Sequence, residues 1–415
     1  MPTMAVILAM LLLFLGGMPA AAQPDAVHLM QQPAVKAALE DLRAREPQTI
    51  EDQIRLCEVE APPFKEARRA ELYATLFEQA GLTNVRIDKE GNVLGEKRGT
   101  GGGPHVVFSA HLDTVFPEGT DVKVRREGNV LHGPGIGDDC RGLAVVLAVA
   151  RAMVKHAIQT PGTITFVGTV GEEGLGDLRG VKYLFREKPA GQIDRFVSVD
   201  GTGYGITHIA VGSLRYRLTY KGPGGHSYGA FGMVNPIHAL GRAIDRIADF
   251  EVPSDPKTTF NVGRIGGGTS VNAIPFEAWA EVDMRSADPK ALEALHMKFQ
   301  PAVPEPPAAD HARWGSRELS VDKQLVGNRP AGRTPADSPI VRAAVAATKA
   351  LGLPVSLDEG STDSNIPMSL GIPAITIDGG GRGRGAHSLN ESFDATDSWQ
   401  GTARALLIAV ALAHP

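Results

Sequence analysis

Histidines and acids recur in this chain at the ends of apolar runs, in positions from which they could share one site. Residues 106–110, Val-Val-Phe-Ser-Ala, are β-branched and aromatic and read as a buried parallel strand, whose carboxyl end is where open α/β sheets place ligands. His111 stands at that end and Asp113 follows two residues later. Side chains alternate across an extended chain, so the two share a face. Asp113 can then fix the imidazole tautomer and leave the other ring nitrogen for a metal. A core histidine capped by a neighbouring acid is the competing reading of this pair alone. A second run, 163–170, ends in Gly171-Glu172-Glu173-Gly174, and a third, 195–199, ends in Asp200. A fourth, 373–377, leads through Asp378 and the loop 379–385 to His387. The glycines of 133–137 approach Asp138-Asp139 and let the backbone crowd whatever those acids hold. One of these two acids also reads as the N-cap of an apolar helix at 140–156.

Two histidines and three or four carboxylates make a nitrogen and oxygen donor set, which suits Zn²⁺, Co²⁺ or Mn²⁺ better than copper(I) or an iron–sulfur cluster. Five ligands exceed one closed tetrahedral site. A carboxylate bridging two ions roughly 3.5–4 Å apart would use all five. Of the adjacent glutamates, one can bind metal while its neighbour takes a proton from water. The chemistry implied is metal-assisted hydrolysis.

The elements that must position these residues suggest two domains in 415 residues. Helical spacing marks 33–45 and 64–80, a strand pair turned at Gly91-Asn92 occupies 85–97, and helical spacing resumes at 340–351. The glycine cluster at 99–103 precedes a strand and does not open a helix, so it reads as a connection and not a phosphate cradle. Residues 212–326 break the pattern. A strand at 214–220, helix at 236–247, strands near 258–265 and 276–284, helix at 289–299 and a strand near 318 describe an α+β sandwich inserted into the first domain. Residues 301–307 read as a proline-rich loop within it. The catalytic domain would be discontinuous, 23–211 and 327–415.

Basic and acidic residues number 42 and 47, a net charge of −5, without the basic footprint of a nucleic-acid binder. Residues 4–15 are apolar but short for a membrane span, and Ala20-Ala21-Ala22 follows, which reads as a secretory signal removed after residue 22. No Lys or Arg precedes the run, and an uncleaved anchor is the alternative. Export to the periplasm or medium would put Cys57 and Cys140 where one disulfide is permitted. Cys140, beside Asp138-Asp139, reads either as a thiolate ligand or as a small buried residue at a helix start.

His111-Leu112-Asp113-Thr114, Gly-x-Gly-x-x-Asp-Asp at 133–139, Gly171-Glu172-Glu173-Gly174, Asp200-Gly201 and Ala386-His387-Ser388 resemble, in order and spacing, a dizinc exopeptidase and deacylase family. It includes glutamate carboxypeptidase, peptidase T, succinyl-diaminopimelate desuccinylase, acetylornithine deacetylase and aminoacylase. The resemblance covers nearly all of the chain after residue 22. It implies a mixed, mainly parallel α/β sheet flanked by helices, with the insert as lid and as the surface through which a homodimer would form. It implies two Zn²⁺, with Asp138 bridging, His111 and Asp200 completing one site, and Glu173 and His387 the other. Glu172 would be the general base and Asp113 the residue orienting His111. The Asp138-Asp139 bond becomes a candidate cis peptide. His226 resembles a histidine that reaches the scissile carbonyl, often from the partner subunit, to stabilise an oxyanion. Asn272 and Arg285 resemble binders of a substrate carboxylate, and Gly360, opening the loop to Asn365, a substrate-side residue. Where many members carry lysine and paired glycines after the bridging acid, this chain has Cys140-Arg141-Gly142. The expected activity is an exported exopeptidase acting on small peptides, carboxypeptidase-like, with an aminoacylase acting on N-acyl-amino acids or a tripeptide aminopeptidase as alternatives. A non-catalytic binding protein on the same fold would have lost a ligand or the base, and none is missing.

Overall fold

The computed structural model describes residues 25–305 and 307–415. The expected signal segment, 1–22, lies outside the described residues. The apolar runs form the middle of a nine-stranded sheet. From one edge its order is Thr83–Ile87, Val93–Lys97, Ile164–Thr169, Val106–His111, Arg195–Val199, Ala374–Ile377, Gly205–Ala210 and Gly332–Arg333, with Ser356–Gly360 also pairing to Gly205–Ala210. Val106–His111 is parallel to both neighbours, Ala374–Ile377 is parallel to Arg195–Val199 and Ser356–Gly360 is parallel to Gly205–Ala210, whereas the other pairs are antiparallel. The sheet is therefore mixed, and mainly parallel at its centre. Central parallel strands are covered on both faces, and every residue of Val106–His111 is buried. Val106, Phe108 and Ala110 face the helices Cys140–Lys155 and Trp399–Leu412, while Val107 packs with Val181 and Leu184 of the helix Arg179–Arg186.

Several helices escape the periodicity, among them two of the longer ones. Glu46–Cys57 follows Pro33–Ala44 almost directly, and Pro47 reads as a break, yet in a first turn proline forfeits no intrahelical hydrogen bond. Trp399–Leu412 is buried on nearly all sides and so has no polar face to reveal its period. Arg141 explains the departure from the family pattern at the start of Cys140–Lys155. Fully buried, it donates to Gly379 O (2.8 Å), Ser398 O (2.7 Å) and Thr402 Oγ1 (3.1 Å) and pairs with Glu46 Oε1 at 3.1 Å, joining three helices. Cys57 and Cys140 are buried free thiols, and Cys140 is the first residue of its helix.

The insert is a four-stranded antiparallel sheet in the order Thr258–Gly267, Glu277–Ser286, Gly212–Lys221, Ser320–Arg329. Pro236–Ala248 and Pro289–Ala302 cover one face, with Leu218, Tyr220, Val282 and Met284 of the sheet packed on Leu240 and Leu295. Its last strand continues to Arg329, past the expected boundary at 326. The expected loop at 301–307 begins inside a helix, since Pro301 sits in the final turn of Pro289–Ala302, and Ala308–Trp314 is a further short helix. The buried Asn365 amide donates to Val211 O (2.8 Å) and Pro330 O (3.0 Å), pinning together the points where the chain enters and leaves the insert.

A small sheet, also unforeseen, pairs Arg382–Arg384, Ser392–Asp394, Val130–His132 and Arg125–Glu127. His132 pairs with Ser392, so the loops leading to Asp138 and away from His387 start side by side.

Candidate metal centre and active site

Loops at the carboxyl ends of the central strands converge on one cavity of about 460 Å³. His111 ends its strand with Nδ1 3.0 Å from the main-chain carbonyl of Asp113. A carbonyl only accepts, so Nδ1 carries the proton and Nε2 faces the acids. The Asp113 carboxylate stands farther off, 3.7 Å from Nδ1. It accepts instead from the main-chain N–H groups of Glu172 (3.0 Å) and Glu173 (2.8 Å), so one buried acid sets both the histidine and the glutamate loop.

Asp138 offers one carboxylate oxygen to each histidine. Oδ1 lies 3.0 Å from His111 Nε2 and Oδ2 lies 3.0 Å from His387 Nε2. Asp200 Oδ1 is 3.9 Å from His111 Nε2, and Glu173 Oε1 is 3.1 Å from His387 Nε2. Three metal-capable groups follow, His111 with Asp138 and Asp200, Asp138 with Glu173 and His387, and His111 with Glu172 and Glu173, each with donor atoms within 4.8 Å of one another. None contains a cysteine. The Asp138-Asp139 peptide is cis. Asp139 is the N-cap of the helix Cys140–Lys155, accepting from Gly142 N at 3.1 Å and from His111 N at 2.9 Å.

Electrostatics make this cluster a cation site. Burial pushes Asp200 up to about 7 despite the nearby His111, and Asp138 and Glu173 add to the effect. Burial opposes charge on His111, but Asp139, Asp113, Asp138 and Asp200 outweigh it and lift the ring well above the usual histidine range. Hydrogen bonds to Asp138 and Glu173 raise His387 to about 10. The acids thus favour protons on both histidines, whose rings in turn hold the Asp138 carboxyl well below the usual carboxylate range. Divalent cations fit this oxygen and nitrogen donor set and would supply the missing positive charge.

Glu172 lines the same cavity and is buried, which together with Glu173 pushes its carboxyl well above the ordinary range against the opposing pull of Arg329. Arg329, on the last strand of the insert, lies 3.0 Å from Glu172 Oε1 and also donates to the Glu172 carbonyl. Arg215 Nη1 donates to Gly174 O at 2.7 Å. Glu391 receives N–H groups from Gly135 (2.8 Å), Gly137 (2.8 Å) and Asp138 (3.0 Å), and so holds the loop of the bridging acid. Arg215, Arg329 and Glu391 are not foreseen from the sequence. A lone arginine on a strand carries no local signal, and for Glu391 only its distance of four residues from His387 could have drawn notice.

Arg285 and Gly360 line the cavity, whereas His226 and Asn272 do not. The latter two belong instead to a separate ribbon, Gly225–His226 against Ala273–Ile274, where His226 pairs with Ala273 and Ser227 N donates to Asn272 O at 2.9 Å. The reason is length. At ~3.3 Å per residue, the ten-residue strand Gly212–Lys221 carries the ribbon to its far end, away from the connections that Asn365 pins.

Fold and donor set together define a metallopeptidase and amidohydrolase. Residues 107–411 match the model of peptidase family M20/M25/M40, and the chain belongs to that family. It is 29% identical over 352 residues to a putative succinyl-diaminopimelate desuccinylase of Mycobacterium tuberculosis, covering 82% of this chain and 92% of the relative. Its fold is that of aminopeptidase PepT from Bacillus cereus, with a TM-score of 0.68 at 23% identity over 89% of this chain and 98% of that one. The Bacillus subtilis protein YXEP, described as a dinuclear metal-binding peptidase of the M20 family, superposes with a TM-score of 0.62 at 17% identity over 89% and 99% of the two chains.

Proposed function

We propose that this chain is an exported dizinc exopeptidase that hydrolyses the amide bond next to a free carboxylate in small peptides. The observation that carries the reading is Asp138, whose two oxygens each meet a different histidine at 3.0 Å in a cavity that also holds Glu172. Two ions would be held by His111, Asp138 and Asp200, and by Asp138, Glu173 and His387, with zinc as the expected metal. Bound there, they would polarise a carbonyl and lower the pKa of water. Glu172 takes the proton from the attacking water and returns it to the leaving amine. Asp113 keeps Glu172 and Glu173 in register through their N–H groups. Arg285 receives the free carboxylate, and Gly360, lining the same cavity, bounds the substrate. His226, with Asn272 beside it, would act on the cavity of a partner subunit, which makes a homodimer part of the proposal. The expected signal at 1–22 supports export.

Amino-acid release from matched dipeptides, tripeptides, and N-acetylated and C-amidated analogues, with zinc supplied, tests the reading. C-amidation is expected to abolish cleavage and N-acylation to be tolerated. Loss of cleavage on N-acylation would identify an aminopeptidase and withdraw the role of Arg285. Glu172→Ala is expected to lower kcat by a factor of ~10²–10⁴, and wild-type turnover in that variant would remove the base assignment.

A further inference from the structure

We infer that Arg215 forms, together with Arg285, a two-guanidinium seat for one substrate carboxylate, and that Arg215 thereby determines specificity; this deepens the exopeptidase reading above and rests on it. Strand alternation puts both arginines on the face of the inserted sheet away from its helices. In Glu277–Ser286 burial alternates at every residue, with Val282 and Met284 facing the helices and Asp283 and Arg285 facing the cavity side. Arg215 lies directly across from Asp283 in the strand register. Its side chain lies over Gly327, where a Cβ would stand 3.1 Å from Arg215 Cδ. Both arginines line the cavity of the metal-capable cluster.

The hydrogen bonds leave donors to spare. Asp283 takes Nε of Arg215 through Oδ1 at 3.0 Å and Nε of Arg285 through Oδ2 at 2.6 Å. One carboxylate is thus shared by two guanidinium groups, fixing both and leaving one positive charge uncompensated. Arg215 spends Nη1 on Gly174 O. Its Nη2, and both Nη atoms of Arg285, have no partner among the described residues. Arg329 is different, since its Nη atoms are engaged by Glu172 and Ser361. A carboxylate is the group that accepts paired guanidinium N–H donors and cancels a single charge. Val115 is the one aliphatic side chain larger than alanine lining the cavity, which favours a small or polar residue carrying that carboxylate.

The test compares kcat/KM for one short peptide ending in a small or polar residue with that for its C-terminal amide, in wild type, Arg215→Gln, Arg215→Lys and Arg217→Gln. Arg217 lies on the same strand but pairs with Glu281 and stacks on Trp279, outside the cavity lining, and serves as control. Arg215→Gln is expected to lower kcat/KM for the acid roughly 10–100-fold, mainly through KM, and to change the amide under about 3-fold, so that acid-over-amide preference collapses. Arg215→Lys keeps charge without the fork and falls between; Arg217→Gln matches wild type. Equal losses on acid and amide would mean that Arg215 acts only through Gly174 and would overturn the inference, as would an unchanged preference. If Arg215→Gln does not fold, the preference ratio in Arg215→Lys decides by the same criterion. Wild type that cleaves neither substrate defeats the exopeptidase reading as well. Wild type that prefers the acid while Arg215→Gln keeps that preference defeats the Arg215 inference alone.

Discussion

Among the described residues Glu391 makes no hydrogen bond with a histidine of the site, yet it fixes where the bridging acid stands. It is 2% exposed, and burial raises its carboxyl to about 6 even as three main-chain N–H groups favour its charged form. Removing the acceptor leaves buried donors unpaired, at ~1–3 kcal/mol each. Glu391→Ala is accordingly expected to lower unfolding free energy by at least ~1–3 kcal/mol and to weaken metal binding by ~10–100-fold. Thermal melts and metal titration read the two effects separately, and unchanged metal affinity would show that the Asp138 loop holds itself. Residues of this kind are illegible in sequence, because Glu391 matters through N–H groups more than 250 positions away. His111, Glu172-Glu173 and Asp200 were legible because each follows an apolar strand directly.

At the scale of elements, the helix Cys140–Lys155 begins where the cis peptide, the cap and the strand Arg195–Val199 crowd together. A Cβ on Gly142 would stand 2.3 Å from Val199 O and 2.2 Å from Asp139 Oδ1. Neither a strand carbonyl nor a buried cap can move aside cheaply. Gly142→Ala is therefore expected to cost ~1–3 kcal/mol of stability by overpacking and to lower metal occupancy, since Asp139 holds both Gly142 N and His111 N. Melting temperature with and without added zinc checks this, and a wild-type melting profile would count against it. The same helix shows why the departure at Cys140-Arg141-Gly142 leaves the ligands alone. Arg141 turns away from the cavity into the helices, and the close approach is preserved by one glycine.

For the whole molecule, the cluster of buried acids predicts that bound metal contributes to stability as well as to activity. A ligand that binds only the folded state stabilises it by about 2.7 kcal/mol at a hundred times its Kd. Chelation is expected to abolish turnover and lower the melting temperature by several degrees, with both restored by Zn²⁺, Co²⁺ or Mn²⁺. Loss of activity with no change in melting would separate the metals from folding. Sequence alone determined the buried central strands, the order of the metal-capable residues and the existence of an inserted domain, because a buried parallel strand writes its own apolar run and its functional residue sits at the run's end. Tertiary structure alone decided which charges those residues meet. Arg215, Arg329 and Glu391 act through partners far away in sequence, whose pairing is settled by sheet register and domain docking. His226 and Asn272 show the reverse, since their motifs were plain in the sequence, but the length of a strand carries them away from this chain's own cavity.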